Sequence, residues 1–162
     1  MKILLVGQAP NHTDRLCTQP PLYGSCRKKI IELTDISEEE FASMFATVNL
    51  INRWPGRLKS GRGDAFPLKR ARKSAEKILR EVEKNPHIWY GIIFVGRNVQ
   101  HAFGVKTSDV LEWTYIHNTL IRAAVLPHTS GLNRWWNLSS NSCRAAQFLK
   151  RTISRIHRLQ VE

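Results

Sequence analysis

The sequence predicts an α/β fold, a three-layer α/β/α sandwich around a mainly parallel central sheet of four to five strands. Three observations predict it. Short, unbroken apolar runs recur at residues 2–6, 88–95 and 121–126, as in strands buried on both faces. Segments with apolar residues at helical spacing lie between them. Each run is closed by a breaker: Gly7, Gly96 or Pro127. Strands alternating with helices imply a parallel sheet covered by helices on both sides. The 162 residues fit one domain, 1–162, and contain no repeat or low-complexity tail.

Taken in order, residues 2–6 form the first strand, and Gly7-Gln8-Ala9-Pro10-Asn11-His12 the loop at its carboxyl end. In open α/β sheets ligands sit at such ends. The Gly-x-x-x-x-Gly-Lys-Ser phosphate loop is absent. A second loop, Pro20-Pro21-Leu22-Tyr23-Gly24-Ser25, leads to a helix over 26–33 carrying Ile30, Ile31 and Leu33. Ser37 and Glu40 have capping-box spacing and open a short helix that buries Phe41, Met44 and Phe45. Residues 47–51 read as a strand interrupted by Asn49, whose amide needs partners if buried.

Residues 53–62 form a basic loop containing Arg53 and Trp54. Helix follows from Asp64 or Ala65 to Lys84, with Ala71, Ala75, Ile78 and Val82 on one side and Lys69, Arg70, Arg72, Lys73, Lys77 and Arg80 on the other. Asn85-Pro86 ends it. After the 88–95 strand comes a short helix ending near Phe103-Gly104. Residues 111–116 alternate weakly, as a strand or an extended loop. The 121–126 strand then feeds a long loop, and Ser139 to Ser142 supply caps for a final helix bearing Leu149, Ile153 and Ile156.

The charge is unusual. Twenty-five Lys and Arg face 13 Asp and Glu, a net charge of +12, with a pI near 10.2. Such an excess in a small domain is the electrostatic footprint of a polyanion-binding protein. No apolar run is long enough to span a bilayer, and the short amino-terminal run is a strand, not a signal-peptide core. The expectation is a cytoplasmic, monomeric protein with no membrane partner. Cys17, Cys26 and Cys143 are scattered and match no zinc spacing, so free thiols are expected, with no metal and no cofactor.

The loop after the last strand is the most informative stretch. His128-Thr129-Ser130-Gly131-Leu132-Asn133-Arg134-Trp135-Trp136 gathers an imidazole, hydroxyls, a bulky apolar tip, a guanidinium and two indoles. A merely connecting loop is usually small and polar. The two indoles fit core packing and contact with a flat anionic ligand equally well.

Five motifs in order resemble the uracil-DNA glycosylase superfamily. Gly7-Gln8-Ala9-Pro10-Asn11 is similar to its first motif, Gly-Gln-Asp-Pro-Tyr or Gly-Glu-Ala-Pro-Gly. Pro21-Leu22-Tyr23-Gly24 is similar to its Pro-Phe-x-Gly loop. Asn49 falls at its strand asparagine, and Gly96-Arg97-Asn98-Val99 at a shared glycine turn. His128-Thr129-Ser130-Gly131-Leu132-Asn133 is similar to its His-Pro-Ser-x-Leu or Asn-Pro-Ser-Gly-Leu-Asn motif. The resemblance implies a DNA glycosylase that flips a nucleotide from the stack and hydrolyses its N-glycosidic bond, leaving an abasic site. It gives His128 the role of donor to the negative charge on the leaving base. Asn49 would read the pyrimidine edge, and Leu132 would wedge into the vacated stack. Ser130, Gly131, Asn133 and Arg134 would hold the DNA, joined by Arg53 from the basic loop.

Three departures matter. Where many members of the superfamily activate water with an acidic residue or Asn in the first motif, this chain has Gln8 and Ala9, and neither is a base. Gln8 or Asn11 would orient water, with Asp14 as the nearest carboxylate. Leu22 replaces the base-stacking phenylalanine, leaving Tyr23 or Phe66 as the stacking partner. Asn11 stands where strict uracil enzymes have a tyrosine that excludes a 5-methyl group, which implies room for a modified pyrimidine. An iron–sulfur branch of the superfamily uses four cysteines; this chain has three, at other spacings, with Arg53 in the loop that carries one of the four. Two alternatives remain from the residues: a non-catalytic DNA-binding or damage-sensing protein on the same fold, and an enzyme acting on free nucleosides. The broad positive charge counts against the second.

Overall fold

The computed structural model describes residues 1–14, 18–60, 63–106, 109–130 and 133–161. In chain order its elements are β1 (Lys2–Gly7), α1 (Ser25–Thr34), α2 (Glu38–Met44), β2 (Phe45–Asn49), α3 (Leu68–Lys84), β3 (Trp89–Val95), α4 (Arg97–Ala102), β4 (Thr114–Tyr115), β5 (Arg122–Leu126), a 3-10 turn at Arg134–Asn137, and α5 (Ser139–Val161). The sheet has five strands in the order β2-β1-β3-β5-β4. All neighbouring pairs are parallel except β4 with β5. This is the expected α/β architecture.

Alternating side chains of each strand serve two cores. Ile3 and Leu5 of β1, Ile93 and Val95 of β3, and Ala124 and Leu126 of β5 face α1, α2 and α5, where they meet Ile30, Phe41, Leu149 and Ile156. Leu4, Val6, Ile92, Phe94, Ala123 and Val125 point the other way and meet Ala71, Ala75 and Val82 of α3 and Val99 of α4. Burying each large aliphatic side chain contributes roughly 1.5–3 kcal/mol, so the doubly covered strands form the stable frame.

Local signals explain most boundaries. Ser37 caps α2: its hydroxyl accepts from the Glu40 N–H at 3.1 Å, while its own N–H donates to Glu40 Oε2 at 2.7 Å. Several boundaries differ from the sequence expectation: Phe45, expected in the short helix, is the first residue of β2, because α2 ends at Met44. β2 covers Phe45–Asn49, not 47–51, because β1 pairs Ile3 with Phe45 and Gly7 with Asn49. Asn49 therefore ends the strand instead of interrupting it, and Leu50 and Ile51 are buried beyond it. The third helix starts at Leu68 behind Pro67, not at Asp64 or Ala65. Those two residues belong to a hairpin in which Asp64 bridges Arg57 and the Ala65 N–H donates to Gly56 O at 2.8 Å. Within residues 111–116 only Thr114–Tyr115 is strand, forming the antiparallel edge.

Among the described residues no helix is long and apolar enough to cross a membrane. Cys26 is buried and Cys143 exposed, both as free thiols; Cys17 lies outside the described residues.

Candidate active site

The strand order places the site. The chain runs from β1 outward to β2, then returns across β1 to lay down β3. Such a reversal opens a crevice at the carboxyl ends of the strands. A cleft of about 1140 Å³ lies there, and every parallel strand sends residues into it. Gln8 comes from the end of β1, Asn49 from β2, Val95 and Gly96 from β3, and His128 from beyond β5.

Main-chain bonds tie the first two strand ends together. The Leu50 N–H donates to Gly7 O and the Ile51 N–H to Gln8 O, both at 3.0 Å. Gly7 is required by close approach: a Cβ there would lie 2.5 Å from Asn49 Oδ1 and also overlap the Leu22 side chain. Leu22 thus covers Gly7 beside Asn49, held in a left-handed backbone conformation with φ of 60°.

Asn49 Oδ1 is buried and has no hydrogen-bond partner among the described residues. A buried amide oxygen left unpaired costs about 1–3 kcal/mol, and buried polar groups in folded proteins are nearly always paired. Here the orphan belongs to a residue lining the cleft, where a ligand N–H would satisfy it.

His128 is fixed from both sides. Its carbonyl accepts from Asn133 Nδ2 at 2.8 Å and from Trp136 Nε1 at 2.9 Å. Its ring packs over Gly96, where a Cβ would sit 3.3 Å from His128 Cβ. Ring Nδ1 accepts the Ser130 N–H at 3.2 Å. With Nδ1 accepting, the proton of the neutral imidazole resides on Nε2, making that nitrogen a donor. One edge of His128 is open to solvent, yet the cleft walls strip enough water to depress its pKa; the negative charge of Asp64 opposes this with a smaller pull upward. The Thr129 hydroxyl and Cys26 thiol share a hydrogen bond, while burial pushes that thiol up to about 11 and keeps it neutral.

Gln8, Asn11, Asp14, Leu22, Tyr23, Asn49, His128, Ser130 and Asn133 all line the cleft. Their hydrogen bonds refine their roles. Asp14 is committed to bracing its own loop: Oδ1 accepts from the Thr18 N–H and hydroxyl at 2.9 and 3.2 Å, and Oδ2 from the Gln19 N–H at 3.2 Å. Gln8 Oε1 accepts from Asn98 Nδ2 at 3.3 Å, which joins the β1 loop to α4. Asn11 Oδ1 lies 2.8 Å from His12 Nδ1. Tyr23 is 55% exposed at the rim, an available stacking surface.

Other expected residues are elsewhere. Phe66 is half-buried against the core on the α3 face and is not among the residues lining the cleft. Arg53 is exposed outside the cleft lining, and Arg134 is exposed on the 3-10 turn. Trp135 and Trp136 pack edge to face, centroids 4.7 Å apart, against the core beneath α5. They support the loop from within. Gly131 and Leu132 lie outside the described residues.

Sequence reasoning missed Asp64 and Arg57, which line the cleft from the hairpin. The signal was present in glycines 56, 61 and 63, turn formers around a basic stretch, but Asp64 before an amphipathic helix reads equally as a helix cap. Among the described residues no group of three or more His, Cys, Asp or Glu is placed to hold a metal.

Fold and site together define an α/β protein with a cleft at the sheet's topological reversal. Compared with models of known protein families and with curated proteins, the chain matches none.

Proposed function

We propose that the protein is a DNA glycosylase that accepts a flipped nucleotide in the cleft and hydrolyses the N-glycosidic bond of uracil or another altered pyrimidine. The observation that carries this reading is the orphaned Asn49 Oδ1 in the wall of a cleft that also holds His128. A pyrimidine N3–H is the kind of donor that acceptor lacks. Breaking the glycosidic bond puts negative charge on the base, and a neutral His128 with its proton on Nε2 offers a fixed donor to that charge. Leu22 supplies an apolar wall beside Asn49. The net charge of +12 favours a nucleic-acid substrate over a free nucleoside.

One observation favours a second reading, a non-catalytic DNA-binding or damage-sensing protein. The described carboxylate of the β1 loop is already engaged: Asp14 accepts from Thr18 and Gln19, and Gln8 beside it is an amide held by Asn98.

The test is base release. Wild type and His128→Ala are incubated with single- and double-stranded oligonucleotides carrying uracil or 5-substituted pyrimidines, and free base is detected by mass spectrometry. Release by the wild type, lost in His128→Ala, is the expected result. Salt-sensitive DNA binding without release of any base moves the reading to the non-catalytic alternative.

A further inference from the structure

We propose that Asp64, carried into the cleft by the hairpin between β2 and α3, is the base that takes the proton of the attacking water. This rests on the glycosidic-hydrolysis reading above. The hairpin is built to hold the residue in place: Asp64 bridges Arg57, the Leu58 N–H donates to Gly63 O at 3.0 Å, and the Ala65 N–H donates to Gly56 O at 2.8 Å. Arg57, Gly63 and Asp64 line the same cleft as His128, and the Asp64 charge is felt at that ring.

Hydrogen bonding separates the carboxylates of the cleft and favours Asp64 for the role. Two carboxylates line the cleft among the described residues, Asp14 and Asp64. Both oxygens of Asp14 already accept hydrogen bonds, whereas Asp64 accepts none from a described side chain or main-chain N–H. Cys26 is a neutral buried thiol. His12 donates through Nδ1 to Asn11 Oδ1 at 2.8 Å, and its ring sits beside Trp54, centroids 5.9 Å apart. Beside His128, the remaining ionisable groups of the cleft are Tyr23, Arg57 and Arg97.

The step balances. The water oxygen bonds to the anomeric carbon as the carbon–nitrogen bond breaks. The electron pair of that bond leaves with the base, stabilised by the His128 Nε2–H. The water proton passes to the Asp64 carboxylate and then to solvent, and the departed base anion takes a proton from solvent.

The experiment measures single-turnover base release by wild type, Asp64→Asn and Asp64→Glu on the substrate found above, with DNA affinity in parallel. In Asp64→Asn the rate falls by about a hundredfold or more, and affinity is retained. Asp64→Glu recovers part of the rate. A second readout needs no activity: the His128 titration followed by NMR moves to lower pH in Asp64→Asn, because an attracting negative charge is gone. Wild-type rates in Asp64→Asn overturn the assignment and leave the glycosylase reading standing. An unmoved His128 titration overturns the geometry behind it. A wild type that releases no base overturns both readings together.

Discussion

The indole N–H of Trp136 donates to the main-chain carbonyl of His128 at 2.9 Å, across eight residues of chain. The ring that provides it is itself set in place, edge to face with Trp135 and with Lys29 Nζ 5.4 Å from its centroid. Trp136→Phe keeps an aromatic ring and removes the donor, leaving Asn133 as the other anchor on that carbonyl. Stability by chemical denaturation is expected to fall by about 0.5–1.5 kcal/mol, the net value of one such bond. Base release is expected to fall several-fold. Adding Asn133→Ala removes the second anchor and the cap that accepts from the Trp135 N–H at 3.1 Å, so the loss deepens. An undiminished rate in the double variant would show that these anchors do not position the imidazole.

Gly7→Ala tests the floor of the cleft. The added methyl would sit 2.5 Å from Asn49 Oδ1 and overlap Leu22, so both must move. Overpacking of this kind costs roughly 1–3 kcal/mol. The frame of β1 is buried on both faces and retains the fold, but the Asn49 amide is displaced. The expected outcome is a cooperative, less stable protein whose activity is lost more completely than its DNA binding. Wild-type activity in Gly7→Ala would mean that Asn49 is free to adjust and is not held for recognition.

Stability should respond to the titration of His128. Its folded pKa lies below the ordinary value of about 6.5, chiefly through desolvation. Protonation would also place an N–H where Nδ1 now accepts from Ser130. Just below pH 6.5 the unfolded chain therefore binds a proton that the folded chain refuses, and stability rises with pH in that window. The contribution is present in full above the ordinary histidine value and is lost as pH falls through the depressed one. Denaturation midpoints from pH 5 to 7.5 are expected to drop on the acid side in wild type and to change less in His128→Gln.

What the sequence disclosed and what it hid have separate physical causes. The strands at 2–6, 88–95 and 121–126 are buried on both faces, so their apolar runs announce them directly. The Ser37–Glu40 box is a local bond pattern readable from spacing alone. Asn49 was noticeable as a polar residue within an apolar run, and His128 as the start of the loop that follows one. Asp64 was hidden because its role depends on a hairpin closed by main-chain bonds, in which side-chain identity leaves little mark. The packing of Phe66 against the α3 core was hidden for the same reason: the helix starts at Leu68, behind Pro67, instead of at Asp64. The two indoles at 135 and 136 needed the structure to show that they brace the His128 loop.

The positive charge should act on one end of the molecule. Arg57 lines the cleft, Lys59 is exposed on the same hairpin, and Lys69 is exposed in the first turn of α3, just after it. Arg155, by contrast, lines a hollow with Met1 and Trp89, at the amino ends of β1 and β3 and thus at the opposite edge of the sheet. Each phosphate neutralised by the protein contributes about 0.9 to the slope of log affinity against log salt for duplex DNA, and about 0.7 for a single strand. Replacing Arg57, Lys59 and Lys69 singly by Gln is expected to flatten that slope by one contact's share each, whatever the DNA sequence. Arg155→Gln is expected to leave it unchanged. Fluorescence anisotropy on an unmodified oligonucleotide between 50 and 200 mM salt measures both. Equal effects at the two edges would mean that the charge attracts DNA without orienting it, and that the cleft does not define the docking face.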